Sequence, residues 1–177
     1  MIGFLFHGDY MSGNGCTVTQ LLNGGIMSAL RIAEPDFKER VEQSFARQAV
    51  MKLIGAQLTR CEPGVVEVEL PFRADLTQQH GFLHAGIVST ALDSVCAYSA
   101  LTMMPADAAV LTIEFKVNLL APGKGDHFLF RGNVTKQGRT IMVSDGQAFA
   151  VGETEVKLIA TMTATLMVVK DREDLQD

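Results

Sequence analysis

One long apolar segment, placed between two sets of alternating residues, constrains the fold of this chain more than any other feature. From Ala85 to Met104 the segment carries a single charged residue, Asp93. On both sides of it apolar and polar residues alternate with a period of two, which is typical of half-buried β-strands. A helix that is apolar nearly all round must be covered on most sides. We therefore expect a long central helix, about residues 84–104, with a β-sheet around it.

The same segment is long enough to raise the question of a membrane span. Its hydrophobicity rests largely on alanine, however, and His84, Asp93 and several Ser and Thr residues lie in or beside it. The apolar start, Met1 to Phe6, lacks the positive region of a signal peptide. We interpret the segment as a core helix and expect a cytoplasmic protein that does not bind membranes.

Six strands are predicted around this helix, two before it and four after it. Their ranges are 56–61, 65–70, 110–121, 127–136, 139–151 and 156–169, with turn residues such as Glu62-Pro63-Gly64 between them. Short connections favour antiparallel pairing of successive strands. Strands and one covering helix in this order indicate an α+β architecture.

Strict alternation in the third strand predicts which side chains share a face. On that pattern Thr112 lies on the polar face of the strand. The opposite face is then formed by five apolar residues, Leu111, Ile113, Phe115, Val117 and Leu119.

Length and composition favour a single domain with two appendages. The chain has 177 residues, of which 47% are hydrophobic, enough for a substantial core. The glycine-rich residues 1–35 are expected to be a partly flexible N-terminal extension with a short helix near 26–32. The domain then spans 36–169 and begins with one helix that runs to about Leu53, and residues 170–177 form a charged tail.

Net charge and cysteine content argue against several classes of protein. A formal charge of −5 disfavours a general nucleic-acid binder. The three cysteines, Cys16, Cys61 and Cys96, are odd in number and widely spaced, which fits reduced thiols. None of them has a CxxC spacing, so we expect no metal site.

Three motifs stand out, one at the start of the apolar helix and two in the strands that follow it. They are Gln78 to Gly86 followed by Asp93, Thr112 to Pro122, and Lys136-Gln137-Gly138-Arg139-Thr140. Over about residues 37–169 the chain resembles hotdog-fold thioesterases of the phenylacetyl-CoA thioesterase (PaaI-like) kind. The resemblance implies a hotdog fold, in which a curled antiparallel sheet wraps around a central helix. It also implies an acyl-CoA thioesterase without a cofactor, coenzyme A being part of the substrate.

The residue types suit thioester hydrolysis on physical grounds as well. Asp93 can act as a general base or as a carboxylate nucleophile. The N–H groups of Ala85 and Gly86 begin the helix, lack intrahelical partners and lie at the positive end of its dipole, so they suit an oxyanion. The alternative for Asp93 is a structural acid satisfied by Ser89 or Thr90.

The resemblance implies further candidate site residues. This chain departs from the family's pattern at two places: Gln78 stands where many members have Asn, and His84-Ala85-Gly86 stands where they have His-Gly-Gly. Because of the first departure, Gln78 and Gln79 are both candidates for the orienting residue of the site. His84 is either catalytic or a helix cap. The resemblance gives Thr112 a role in placing the water or thioester, and gives the turn of residues 136–140 contacts with coenzyme A, where Lys136 and Arg139 suit phosphates.

The spacing of the candidates predicts a dimer. Ala85 and Asp93 are eight residues apart, or about 12 Å along one helix, too far to act on one carbonyl. A two-fold dimer with antiparallel central helices brings the start of one helix to the middle of the other. The resemblance implies the same dimer, often paired into tetramers.

The expected reaction is hydrolysis of a medium-chain or aromatic acyl-CoA. A second possibility is a non-catalytic acyl-CoA-binding protein with the same fold. A third is a hydratase or dehydratase, whose usual pairing of a His with an acid in a different motif is not found in this sequence.

Overall fold

The computed structural model describes residues 34–172 and Leu175. The predicted flexible extension and its short helix near residues 26–32 therefore lie outside the described residues, apart from Glu34 and Pro35. Of the charged tail, residues 170–172 and Leu175 are described, and they form neither helix nor strand.

Three helices and six strands make up the described part of the domain, with one short 3₁₀ turn. They are α1 (Phe37–Arg47), α2 (Ala49–Ile54), β1 (Gln57–Glu62), β2 (Val65–Pro71), the 3₁₀ turn (Ala74–Leu76), α3 (Ala85–Leu101), β3 (Ala109–Leu119), β4 (His127–Lys136), β5 (Ile141–Val151) and β6 (Val156–Val169). The sheet is antiparallel throughout, in the order β1-β2-β4-β5-β6-β3. Helix α3 packs across one face of it, against β2 to β6. The predicted α+β hotdog fold is confirmed.

Two glycines allow α3 to lie directly on the sheet. Gly132 of β4 and Gly146 of β5 are register partners. A Cβ at Gly132 would lie 2.1 Å from the Val95 carbonyl oxygen, and one at Gly146 would lie 2.9 Å from the Cys96 Sγ. Because the contact at Gly132 is with the helix backbone, a larger residue there would push the helix away from the sheet, whereas one at Gly146 would first displace the side chains of Cys96 and Leu92.

A buried arginine holds the C-terminal end of α3. The Arg40 guanidinium donates hydrogen bonds to the carbonyl oxygens of Leu101 (2.7 Å), Met104 (3.0 Å) and Pro105 (2.6 Å). These carbonyls lie where a helix runs out of intrahelical donors and where its dipole is negative. Arg40 therefore both caps α3 and attaches α1 to it.

Among the described helices, none is long and apolar enough to cross a membrane.

The prediction of a single helix from residue 36 to Leu53 is wrong, because the helix is broken at Gln48. Gln48 has an extended backbone (φ −67°, ψ 104°) between α1 and α2. The Ser94 hydroxyl donates to its side-chain oxygen at 3.4 Å. The break lets α2 bury Met51 and Ile54, and the local sequence contains no proline or glycine that would announce it.

The predicted faces of β3 are also wrong, because β3 contains a β-bulge. Thr112 pairs with Leu166, but Glu114 pairs with Thr165, so Ile113 is an extra residue. Thr112 and Phe115 consequently both face the helix side, with the inward residues Leu166 and Ala164 opposite them. The bulge thus moves Thr112 from the polar face to the face that carries α3.

Candidate active site

A short closed loop presents the first turn of α3. The Gln78 N–H donates to the Phe82 carbonyl at 2.9 Å, and Thr77 and Leu83 form an isolated β-bridge. The His84 N–H donates to the Leu76 carbonyl at 3.0 Å. Because its backbone groups are paired on both sides, this loop fixes where α3 begins.

His84 is the N-cap of α3. Its Nδ1 accepts a 2.9 Å hydrogen bond from the Gly86 N–H. The capping role weighed for His84 is therefore present, and it occupies one of the two N–H groups predicted to hold an oxyanion. The Ala85 N–H has no acceptor among the described residues. Ala85 is thus the open donor at the positive end of the helix.

The two candidate glutamines, Gln78 and Gln79, lie in different surroundings. Gln78 lines a pocket together with Ala85. Its side-chain oxygen accepts from the His80 N–H, which leaves its amide N–H₂ for other acceptors. Gln79 is exposed, and its amide nitrogen lies 3.3 Å from the His80 Nε2. Of the two candidates, only Gln78 lies beside the open N–H.

The pocket beside Ala85 has a volume of about 410 Å³ and is mostly apolar. Phe82, Leu83 and Val88 line one side, and residues 119–123 with Ile159 line the other. Apolar pockets with a few polar groups at one end are typical of small-molecule sites. Sequence reasoning missed residues 119–123 and Ile159 as site residues, since only the fold brings them to the start of α3.

Asp93 lies two turns further along α3, half-buried and bonded to β3. The Thr112 hydroxyl donates a 2.8 Å hydrogen bond to its Oδ1. Burial raises the pKa of Asp93, and the Thr112 hydrogen bond partly opposes that rise. Ser89 and Thr90 do not satisfy this acid, because their hydroxyls bond the carbonyls of Ala85 and Gly86. A carboxylate with a raised pKa and a single hydroxyl partner is suited to general-base chemistry.

The candidates form two groups within one protomer, and the groups do not meet. Gln78, His84, Ala85 and Gly86 surround the start of α3. Asp93 and Thr112 lie together at its middle, about 12 Å along the axis from Ala85. Within one subunit, the open Ala85 N–H and the Asp93 carboxylate therefore cannot reach the same carbonyl group.

The basic turn lies at the other end of α3. The Gln137 amide donates to the Met103 carbonyl at 2.8 Å, which ties the turn to the residues that follow the helix. Lys136 and Arg139 are exposed there. Gly138 is required, since a Cβ at this position would lie 2.0 Å from the Ile141 carbonyl oxygen. The turn also includes Thr140, whose carbonyl accepts from the Val168 N–H at 2.8 Å.

Other potentially reactive groups lie away from this region or are chemically quiet. Cys61 and Cys96 are free thiols, and burial raises their pKa to about 11 and about 12, respectively. Cys16 lies outside the described residues. Within the described part of the chain, His, Cys, Asp and Glu side chains do not gather in threes at metal-binding distances. A polar concavity of about 590 Å³, bordered by Arg60 and Arg131, lies on the sheet face opposite α3 and cannot be reached from Asp93.

Comparisons with known proteins find relatives with the same fold. Residues 80–157 match the model of the thioesterase superfamily. A thioesterase family protein from Silicibacter pomeroyi is 53% identical, with 76% of this chain and 98% of that chain covered and a TM-score of 0.75. A protein from Saccharolobus solfataricus, provisionally named an esterase, is 32% identical over 58% of this chain and 74% of its own length. The PaaI protein of the E. coli phenylacetic acid degradation operon shares the fold at 19% identity, with 76% of this chain and 94% of that chain covered and a TM-score of 0.68.

The fold is thus that of the thioesterases. The chain belongs to the thioesterase superfamily.

Proposed function

We propose that this protein is an acyl-CoA thioesterase that hydrolyses a medium-chain or aromatic acyl-CoA. The observation that carries the proposal is the pair of complementary half-sites on α3. One is the open Ala85 N–H beside an apolar pocket, and the other is Asp93 with its Thr112 hydrogen bond. An oxyanion donor, a tuned carboxylate and an apolar cavity are the parts that hydrolysis of an apolar thioester requires.

The active form is a two-fold dimer in which each site takes one half from each subunit. The surface for this pairing is β3, one of the two edge strands of the sheet. Phe115 and Leu119, which point to the helix side of β3, are 46% and 56% exposed. A long edge strand with exposed apolar residues is a template for pairing with another strand.

Antiparallel pairing of two β3 strands around Phe115 and Lys116 would bring the half-sites together. The partner's Thr112 would then lie opposite residues 118–120, which lead into the loop that lines the pocket at Ala85. The partner's Asp93, bonded to that threonine, would face the pocket. Pairing of dimers into a tetramer remains a further prediction from the family resemblance.

The reaction in such a site follows from the chemistry of its groups. Asp93 removes a proton from water as the water oxygen attacks the thioester carbonyl carbon. The N–H of Ala85 donates to the oxyanion that forms, and the Gln78 amide is placed to orient the thioester or water. When the C–S bond breaks, the sulfur leaves with the proton held by Asp93. Direct attack by the Asp93 carboxylate, forming an anhydride that water then opens, is the alternative route.

The coenzyme A phosphates are assigned to the turn of residues 136–140. Lys136 and Arg139 are exposed cations, and Arg suits phosphate because its donors are arranged as a fork. This turn lies near the C-terminal end of α3, about 12 Å from Asp93 along the helix. The subunit that supplies Asp93 would therefore also hold the phosphates.

A hydrolysis screen over saturated and aromatic acyl-CoAs tests the function directly. We expect turnover of apolar acyl-CoAs, and a loss of about 10²–10⁴-fold in Asp93→Asn, which removes the base but keeps the shape. Asp107→Asn is the matched control, because Asp107 is an exposed acid paired with Lys170. Tight coenzyme A binding without turnover would instead identify a non-catalytic acyl-CoA-binding protein, and addition of water to an enoyl thioester would identify a hydratase.

A further inference from the structure

A second β-bulge shapes the pocket beside Ala85. Ala148 of β5 pairs with Ala160 of β6, but the next residue, Phe149, pairs with Leu158. Ile159 is therefore the extra residue, and its side chain is only 1% exposed on the helix side of the sheet. Bulges next to functional sites commonly re-aim a side chain in this way.

The bulge also fixes the loop that forms the opposite wall. The Ile159 carbonyl accepts from the N–H groups of Leu120 (2.8 Å) and Ala121 (3.3 Å). Gly123 then returns the chain to the start of α3, where its carbonyl accepts from the Leu83 N–H at 2.9 Å. The walls of the pocket are thus held by backbone hydrogen bonds, and a rigid wall can discriminate by size.

We propose that Ile159 and Val88 close the inner end of the acyl pocket and so set the longest acyl group that the enzyme accepts. Val88 lies one helical turn beyond Ala85, on the same face of α3, and is 3% exposed. An acyl carbonyl held at the Ala85 N–H would extend its chain over Val88 toward Ile159. This inference rests on the proposed thioesterase function.

The lining residues of the pocket also determine whether a charged acyl group can bind. None of the described residues that line the pocket is charged, and Gln78 is the polar side chain at its mouth. A carboxylate placed inside would lose its hydration and find no cation. The pocket therefore selects neutral apolar acyl groups and rejects dicarboxylic ones.

The test is the acyl-length profile of kcat/KM from butanoyl-CoA to tetradecanoyl-CoA, with phenylacetyl-CoA and succinyl-CoA added. Ile159→Ala should raise kcat/KM for the first chain too long for the wild type, relative to the wild-type optimum, by about tenfold or more. Ile159→Val and Val88→Ala, which remove less volume, should move the profile in the same direction. Succinyl-CoA should be at least about tenfold poorer than butanoyl-CoA.

Ile54→Ala is the matched control, because Ile54 of α2 is equally buried, at 1% exposure, and does not line the pocket. It should lower stability without moving the profile. An unchanged profile in Ile159→Val and Val88→Ala, with hydrolysis retained, would overturn the assignment of these residues and leave the thioesterase function standing. Absence of hydrolysis of every acyl-CoA by the wild type would overturn both.

Discussion

The Thr112 hydroxyl donates a 2.8 Å hydrogen bond to the Asp93 carboxylate, and the bulge of β3 at Ile113 lets Thr112 and Phe115 face α3 together. Without the extra residue, either Thr112 or the apolar residues from Phe115 onward would turn away from α3. The bulge therefore lets one edge strand present a polar partner for the acid and an apolar surface beside it.

Removal of the Thr112 hydroxyl should shift the pH dependence of hydrolysis. That hydrogen bond lowers the pKa of Asp93 against the rise caused by burial, so Thr112→Val should raise the pKa further. Since the base acts when ionised, the acidic limb of the kcat/KM profile should move to higher pH. Thr112→Ser, which keeps the hydroxyl, should leave the limb near its wild-type position. A limb unmoved by Thr112→Val would show that Asp93 is not the titrating base.

Asp93 should lower the stability of the fold at neutral pH. Burial raises the pKa of Asp93 in the folded state, so ionising this carboxyl costs folding free energy. Below the unfolded-state pKa the group is protonated in both states and this cost is absent. The cost appears as the pH rises and is complete above the folded-state pKa. Asp93→Asn should therefore be more stable than the wild type at pH 7, with the difference shrinking toward acid pH. Urea unfolding at several pH values and one fixed protein concentration measures this. A variant less stable than wild type at pH 7 would contradict a desolvated carboxylate.

Gly132 should tolerate no side chain. A Cβ there would meet the backbone carbonyl of Val95 at 2.1 Å, and a helix backbone cannot rotate out of the way. We expect Gly132→Ala to lower the free energy of unfolding by about 2 kcal/mol or more. Gly152→Ala is the control, since its nearest atom would be the Glu155 carbonyl oxygen at an ordinary 3.8 Å. Equal effects of the two substitutions would mean that the helix does not depend on this close approach.

The architecture could be predicted from sequence because its signals are local. Period-two alternation placed β4 at 127–136 and β6 at 156–169, the bounds that the structure gives. The long apolar segment in which Asp93 is the single charged residue likewise predicted α3. Alternation could not reveal the bulge at Ile113, because the residue types of β3 alternate without a break across it and only the pairing with β6 shifts.

The candidate site was predictable where one stretch of chain carries it and not where the fold assembles it. Residues 78–93 contain the helix start and the acid, and their spacing already indicated two half-sites. The choice between Gln78 and Gln79, and the occupation of the Gly86 N–H by His84, depend on loop hydrogen bonds that residue types do not determine. Ile159 reaches the pocket from a strand more than seventy residues later, so sequence separation concealed it.

The central claim is that each active site takes Ala85 from one subunit and Asp93 from the other. Ala85→Pro deletes the oxyanion N–H, and proline is tolerated at this first helical position because the preceding His84 is extended (φ −63°, ψ 136°). Ala85→Pro and Asp93→Asn should each lose at least about a hundredfold in rate.

Co-expression of the two variants with different affinity tags gives a purified heterodimer that decides the matter. One of its two sites would combine an intact Ala85 with an intact Asp93, so about half of the wild-type rate should return. Asp93→Asn paired with itself, tagged in the same way, is the control and should stay inactive. A heterodimer no more active than its parents, or full activity in a monomeric wild type, would contradict the shared site.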